Sequence, residues 1–163
     1  MIGEQNVDGG TTPSSVLTAI ETKGLVPYKD CPYNVEAINE PIPVHAMKDA
    51  FDSQGALKYQ TCLTADDIRR SLDRGFPVTI GVQVDEAFED FGPGDAPWSF
   101  SGETLGGHAL CIVGYEPGFV WIVNSWGTSW GIGGFGKISD AMINSEATQD
   151  RYSWQFVNQP DKA

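Results

Sequence analysis

Gly-Gly-His-Ala-Leu-Cys-Ile-Val-Gly-Tyr runs from Gly106 to Tyr115, turns through Glu116-Pro117-Gly118, and returns as Phe-Val-Trp-Ile-Val-Asn-Ser-Trp-Gly from Phe119 to Gly127. The apolar, β-branched runs on either side of a Pro-Gly turn read as two strands of a hairpin, His108–Tyr115 and Phe119–Asn124. On its own, His108 would be a structural histidine, and Asn124 a turn residue or a satisfied core amide. Together they read differently, because the hairpin sets them on neighbouring strands. An amide oxygen beside an imidazole accepts its N–H and fixes its tautomer and orientation. That is the orienting role in nucleophile–His–Asn catalysis, with His108 as base and then acid. Trp126 and Trp130 would ordinarily be packing residues. Beside a His–Asn hydrogen bond, Trp126 can also exclude water and strengthen it.

The rest of the chain is organised around this hairpin. Thr12 and Pro13 open a helix over 13–23, with Val16, Leu17 and Ile20 as its apolar stripe and Gly24 as its stop. Pro27, Pro32, Pro41 and Pro43 punctuate a long irregular crossing, and a weaker helical stretch covers about 44–53. Ala56–Thr61 reads as a short strand. Thr64 caps a helix through about Arg74, with Asp66 and Asp67 in its first turn, Arg74 in its last, and Gly75 after it. Pro77–Val84 alternates as a strand, and the Gly-, Pro- and Ser-rich stretch 92–107 is expected to be an exposed loop. A strand over 135–139 follows the glycine-rich bend Gly131–Gly136, and Tyr152–Phe156 alternates as a last strand. Helix first, then mostly antiparallel sheet, is an α+β architecture.

Composition narrows the function classes. The 163 residues carry 10 Lys and Arg against 22 Asp and Glu, a formal charge of −12. That balance excludes broad nucleic-acid binding and docking on anionic lipid. No apolar run approaches the length of a membrane span. Met1–Gln5 has neither the basic nor the apolar region of a signal peptide, so a cytoplasmic site or the inside of a virion or other assembly is expected. Three cysteines at wide spacing, Cys31, Cys62 and Cys111, favour free thiols over a disulfide framework. His45, His108 and the cysteines show no metal-ligand spacing, and no Lys-Ser/Thr follows the glycine-rich bend. No metal or cofactor is therefore expected.

The chain resembles the papain family of cysteine peptidases. Gly107-His108-Ala109-Leu110 with Val113-Gly114-Tyr115 is similar to that family's histidine strand, and Asn124-Ser125-Trp126-Gly127 with Trp130-Gly131 to its asparagine motif. Asp8-Gly9-Gly10 resembles the glycine-rich wall of its substrate cleft. The stretches from Lys23 to Tyr33 and from Leu63 to Val84 also fall in the family's order. The resemblance implies one partial papain-like domain over 1–163. Residues 1–55 would be a remnant of the helical half and 56–163 the β-rich half, an antiparallel sheet or barrel. It also implies catalytic roles for His108 and Asn124, with Trp126 as shield. Gly9, Gly10, Gly81 and Gly107 would be substrate-binding positions, the backbone of Gly9 or Gly10 pairing with an extended peptide. Small residues at Gly81, Gly106 and Ala109 imply a roomy, weakly selective pocket.

The family's nucleophile has no counterpart in these residues. Its Cys precedes the His by roughly 130–150 residues, which places it roughly 20–40 residues before Met1. Cys31 and Cys62 are too close to His108 in sequence, and Cys111 points to the opposite face of the strand, into the core. The oxyanion Gln and the central helix are missing with it, which leaves an apolar face for another protein chain to cover. The expectation is therefore a homologue that is inactive alone and serves a binding or structural role in a larger assembly. The lack of a disulfide pattern and the Gly-Gly before His108 look more like bacterial or phage members, and a phage particle component would fit this class. The alternative is half of a split, processed or truncated peptidase whose Cys comes from elsewhere.

Overall fold

A computed structural model describes residues 10–34, 36, 40–54 and 57–156, the last two without their side chains. Gly9 and the expected strand start at Ala56 lie outside the described residues. The chain divides into two compact units, Met1–Lys58 with Gln155–Ala163, and Tyr59–Trp154.

Among the described residues the first unit holds two α-helices. Helix α1 spans Pro13–Lys23, with the Thr12 hydroxyl accepting from the Ser15 N–H at 3.2 Å and proline at the first helical position. Gly24 ends it at φ 82°, donating its N–H to the Ile20 carbonyl at 2.9 Å. Any side chain at position 24 would run into the backbone carbonyl of Ala50, so only glycine lets the following helix come this close. That helix, α2, spans Val44–Asp52 and starts after Pro43. The Ser53 hydroxyl fixes the crossing, accepting from the Leu25 N–H and donating to the Leu25 carbonyl.

The second unit is built on a six-stranded sheet in the order β1-β6-β2-β3-β4-β5, with β1 Leu57–Thr61, β2 Val78–Val84, β3 Gly106–Glu116, β4 Phe119–Val123, β5 Phe135–Ser139 and β6 Thr148–Phe156. Helix α3 (Ala65–Asp73) carries a reciprocal cap in which the Thr64 hydroxyl takes the Asp67 N–H and the Asp67 carboxylate takes the Thr64 N–H. It ends one residue before the expected Arg74, which is its C-cap. On β2, Val78, Ile80, Val82 and Val84 are buried, while Thr79, Gly81 and Gln83 on the opposite face are half-buried. The buried face joins Ile68 of α3 with Leu110, Ile112, Val120, Ile122 and Ile138 of the sheet. Each such side chain contributes about 1.5–3 kcal/mol of transfer free energy.

The hairpin β3–β4 contains a feature the sequence did not announce. Beside the turn, Glu116 pairs with Phe119 and Gly114 with Trp121, but further in Ile112 pairs with Ile122 and Cys111 with Val123. The register slips by one residue at Val113, a β-bulge. Had the turn's register run on, Asn124 would oppose Cys111 on the outer face. The bulge moves it opposite Leu110, on the inner face that His108 shares with Leu110 and Ile112.

Three further departures matter for the site. Two four-residue helices were not foreseen, α4 (Glu86–Glu89) capped by Asp85 and α5 (Asp140–Ile143) capped by Ser139. β6 begins at Thr148 rather than Tyr152. The stretch 92–107 is not simply an exposed loop: Trp98 is 5% exposed and bridges in parallel to Ile138 of edge strand β5, and β3 already begins at Gly106. An indole that finds both a buried slot and a hydrogen-bond partner outweighs the polar composition around it.

Candidate active site

His108 lies on β3 across from Val82 of β2, and Asn124 follows directly on β4, its N–H donated to the Gly134 carbonyl at 2.9 Å. The two side chains meet diagonally across the hairpin, with His108 Nε2 and Asn124 Oδ1 2.8 Å apart. The same oxygen accepts the backbone N–H of Ser125 at 2.7 Å. A backbone N–H can only donate, so that atom is the amide oxygen and His108 Nε2 carries its proton. In that tautomer Nδ1 carries the lone pair, an atom able to accept a proton. Asn124 is 9% exposed, and its Nδ2 is buried without a hydrogen-bond partner among the described residues.

Aromatic rings enclose this bond. The Trp126 ring lies 4.7 Å from the imidazole centroid, tilted by 32°, and is itself 38% exposed. Phe88 of α4 backs the group, with its centroid 6.1 Å from His108, 5.5 Å from Trp126 and 5.0 Å from Trp130. Trp130 is buried and donates its indole N–H to the Phe88 carbonyl at 3.1 Å. The Trp130 ring sits over Gly136, where a Cβ would stand 2.7 Å from Cη2. The rings lower the local dielectric around the His–Asn bond, which strengthens it.

Beneath the aromatic group is a buried acid that the sequence reading missed. Asp85 is 2% exposed. Its Oδ1 accepts from the Phe88 N–H at 3.0 Å and the Trp98 indole N–H at 2.8 Å, and its Oδ2 from the Ser101 N–H at 2.8 Å. Burial alone would raise this carboxyl's pKa; the bonds from Ser101, Trp98 and Phe88 outweigh it and hold the pKa below the usual carboxylate range. The readable signal was an Asp directly after a strand, a residue type favoured at the N-cap of a helix.

The expected substrate-side residues divide between the units. On β2 and β3, Gly81 pairs with Ala109 and Gln83 with Gly107, which puts Gly81, Gly107 and Ala109 on the outer face, opposite the His108 side chain. Gly10 belongs to the first unit, exposed, at φ 65°.

All three cysteines are free thiols. Cys111 does point away from His108, but it is half-buried on the outer face rather than in the core. Burial pushes the thiol pKa of both Cys62 and Cys111 up, the reverse of what a nucleophile needs. Among the described residues no cysteine is hydrogen-bonded to His108. Nor do three His, Cys, Asp or Glu side chains gather to hold a metal ion, and no described helix is long and apolar enough to cross a membrane.

Comparison with known proteins agrees with this geometry. The family model for papain family cysteine proteases matches residues 2–154. Xylellain, a cysteine protease from Xylella fastidiosa, superposes with a TM-score of 0.78 at 22% identity over 96% of this chain and 65% of its own. A cysteine protease of Carica candamarcensis does so at 0.60 and 21% identity, over 93% and 70%. Among curated proteins, an uncharacterized peptidase C1-like protein of Acanthamoeba polyphaga mimivirus is 42% identical over 83 residues, 44% of this chain and 26% of its own length. Cathepsin B-like cysteine proteinase 3 of Caenorhabditis elegans is 36% identical over 95 residues, 56% of this chain and 25% of its own. The matches thus span about a quarter of these curated relatives. The chain belongs to the papain family of cysteine proteases.

Proposed function

We propose, from this membership, that the chain supplies the imidazole–amide half of a papain-type peptidase site, completed by a cysteine thiol from outside the described residues. The observation that carries the reading is the His108 Nε2–Asn124 Oδ1 bond of 2.8 Å beside Trp126, which engages Nε2 and not Nδ1 among the described residues.

In this reading the thiol passes its proton to Nδ1 and the thiolate adds to the carbonyl carbon of a peptide bond. The imidazolium then protonates the leaving amine as the C–N bond breaks, and a thioester remains. Water, deprotonated by Nδ1, breaks the thioester and restores the thiol. Asn124 holds the ring through both steps and its carbonyl dipole stabilises the imidazolium. The outer sheet face, opposite His108, bears Ala109, the half-buried Cys111 and Val123, and the 44%-exposed Val113, an apolar surface for another polypeptide to cover.

The test is to treat the protein, isolated with its native companions, with a thiol-directed epoxide and a fluorogenic peptide. Labelling of one cysteine outside the described residues, with hydrolysis abolished by His108→Ala, supports the reading. No labelling and no hydrolysis would overturn it in favour of a binding or structural role in an assembly, phage-type or otherwise.

A further inference from the structure

Asp85 touches neither His108 nor Asn124, yet it fixes what stands behind them. It is the N-cap of α4, a helix of only four residues. So short a helix has no stability of its own, and its place depends on its cap and its packing. Asp85 Oδ1 holds the Phe88 N–H, and the Phe88 ring is in contact distance of Trp126, Trp130 and the His108 imidazole. The same carboxylate ties in Trp98 and Ser101 across the stretch that closes the β5 edge, where the Trp98 N–H donates to the Lys137 carbonyl and the Ser139 N–H to the Trp98 carbonyl. The Trp98 ring in turn lies 4.8 Å from Phe88. One buried carboxylate therefore locks the aromatic wall from two directions, along α4 and across the strap.

We propose that Asp85 is a positioning residue for the His108–Asn124 pair, acting through Phe88. It keeps the aromatic wall closed over the Nε2–H···Oδ1 bond and so keeps the imidazole in the tautomer that exposes Nδ1. The proposal rests on the peptidase reading for its consequence, but it is tested on this chain without the missing thiol.

The chain has two histidines, so a His45→Gln background leaves His108 as its one imidazole. The readout is the exchange rate of the His108 Nε2 proton with water, followed by nitrogen-edited NMR, beside the melting temperature. In Asp85→Ala the exchange should run about tenfold faster or more. Asp85→Asn keeps an oxygen for Phe88 and Trp98, and should stay close to the parent rate. Phe88→Leu keeps the cap and removes the ring, and should match Asp85→Ala; it also serves if Asp85→Ala fails to fold. Ile143→Ala, a core truncation outside the aromatic wall, lowers the melting temperature but should leave the exchange unchanged. Parent-like exchange in folded Asp85→Ala and Phe88→Leu, or equal acceleration in Ile143→Ala, would overturn the proposal. Its failure leaves the epoxide labelling untouched, so the two readings fall separately.

Discussion

Adding one methyl group at Gly136 tests how rigid the aromatic wall is. A Cβ there would stand 2.7 Å from Trp130 Cη2, and 3.2 Å from both Trp130 Cζ3 and Ile122 Cδ1. The indole cannot swing aside cheaply. It is buried, tied by its N–H to the Phe88 carbonyl, and wedged between Phe88 and Phe91, whose centroids lie 5.0 and 5.8 Å away. Overpacking of this kind costs about 1–3 kcal/mol. At about 2–4 °C per kcal/mol for a chain of this length, Gly136→Ala should melt about 2–12 °C lower in a calorimetric scan. Trp130→Phe removes the clashing end of the ring, at the cost of a lost indole hydrogen bond. The double variant should therefore be more stable than the sum of the singles by about 1 kcal/mol. A Gly136→Ala protein melting within about 1 °C of the parent, or a strictly additive double variant, would show that the wall yields and that the steric reasoning is wrong.

Three other outcomes follow from the site and its setting. Cys62 and Cys111, whose thiols burial holds protonated, should react with a neutral disulfide reagent at pH 7 more slowly in the folded chain than in urea; equal rates would contradict their burial. Asp85 is held below the usual carboxylate range, so its contribution is present in full above the unfolded value of about 3.9 and fades as pH falls through the lower folded value. Asp85→Asn should accordingly flatten the acid limb of the stability curve, and an unchanged limb would exclude Asp85 as its source. Thr64→Ala removes the acceptor for the Asp67 N–H and should destabilise α3 by about 1 kcal/mol, read as a lower urea midpoint; an unchanged midpoint would mean that Asp67 alone caps the helix.

How much of this could be read from the chain depends on whether the signal is local. Helix α1 was legible because Thr12, Pro13 and Gly24 mark both of its ends, and the structure keeps those bounds. The His108–Asn124 pair was legible because the residue types themselves carry the chemistry and a turn lies between them. Trp98 was not, because its burial depends on Asp85, thirteen residues away, and on edge strand β5, contacts that a Gly- and Pro-rich stretch does not advertise. Helix α4 escaped because four residues hold no periodicity. Gly9 and Gly10 illustrate the opposite limit, since a motif resemblance gave them a role that only a bound peptide can test.

The spacing between His108 and Asn124 looked like a direct consequence of the hairpin, and it is not. They are 16 residues apart, and a regular hairpin pairing Glu116 with Phe119 would put them on opposite faces. The extra residue absorbed at Val113 is what reconciles the count with the chemistry. Deleting Val113 should then be tolerated. It joins Ile112 to Gly114, keeps Ile112 across from Ile122 and Gly114 across from Trp121, and removes only a 44%-exposed side chain. Deleting Val123 should not be, because it draws Asn124 into a position facing Cys111 on the outer face. The check is exchange of the His108 Nε2 proton with water, expected to stay as slow as in the parent in the first deletion and to become fast in the second with the sheet amides still dispersed. If the Val113 deletion folds but that proton exchanges fast, the bulge does more than correct the phase, and its added twist must itself aim the imidazole at Asn124.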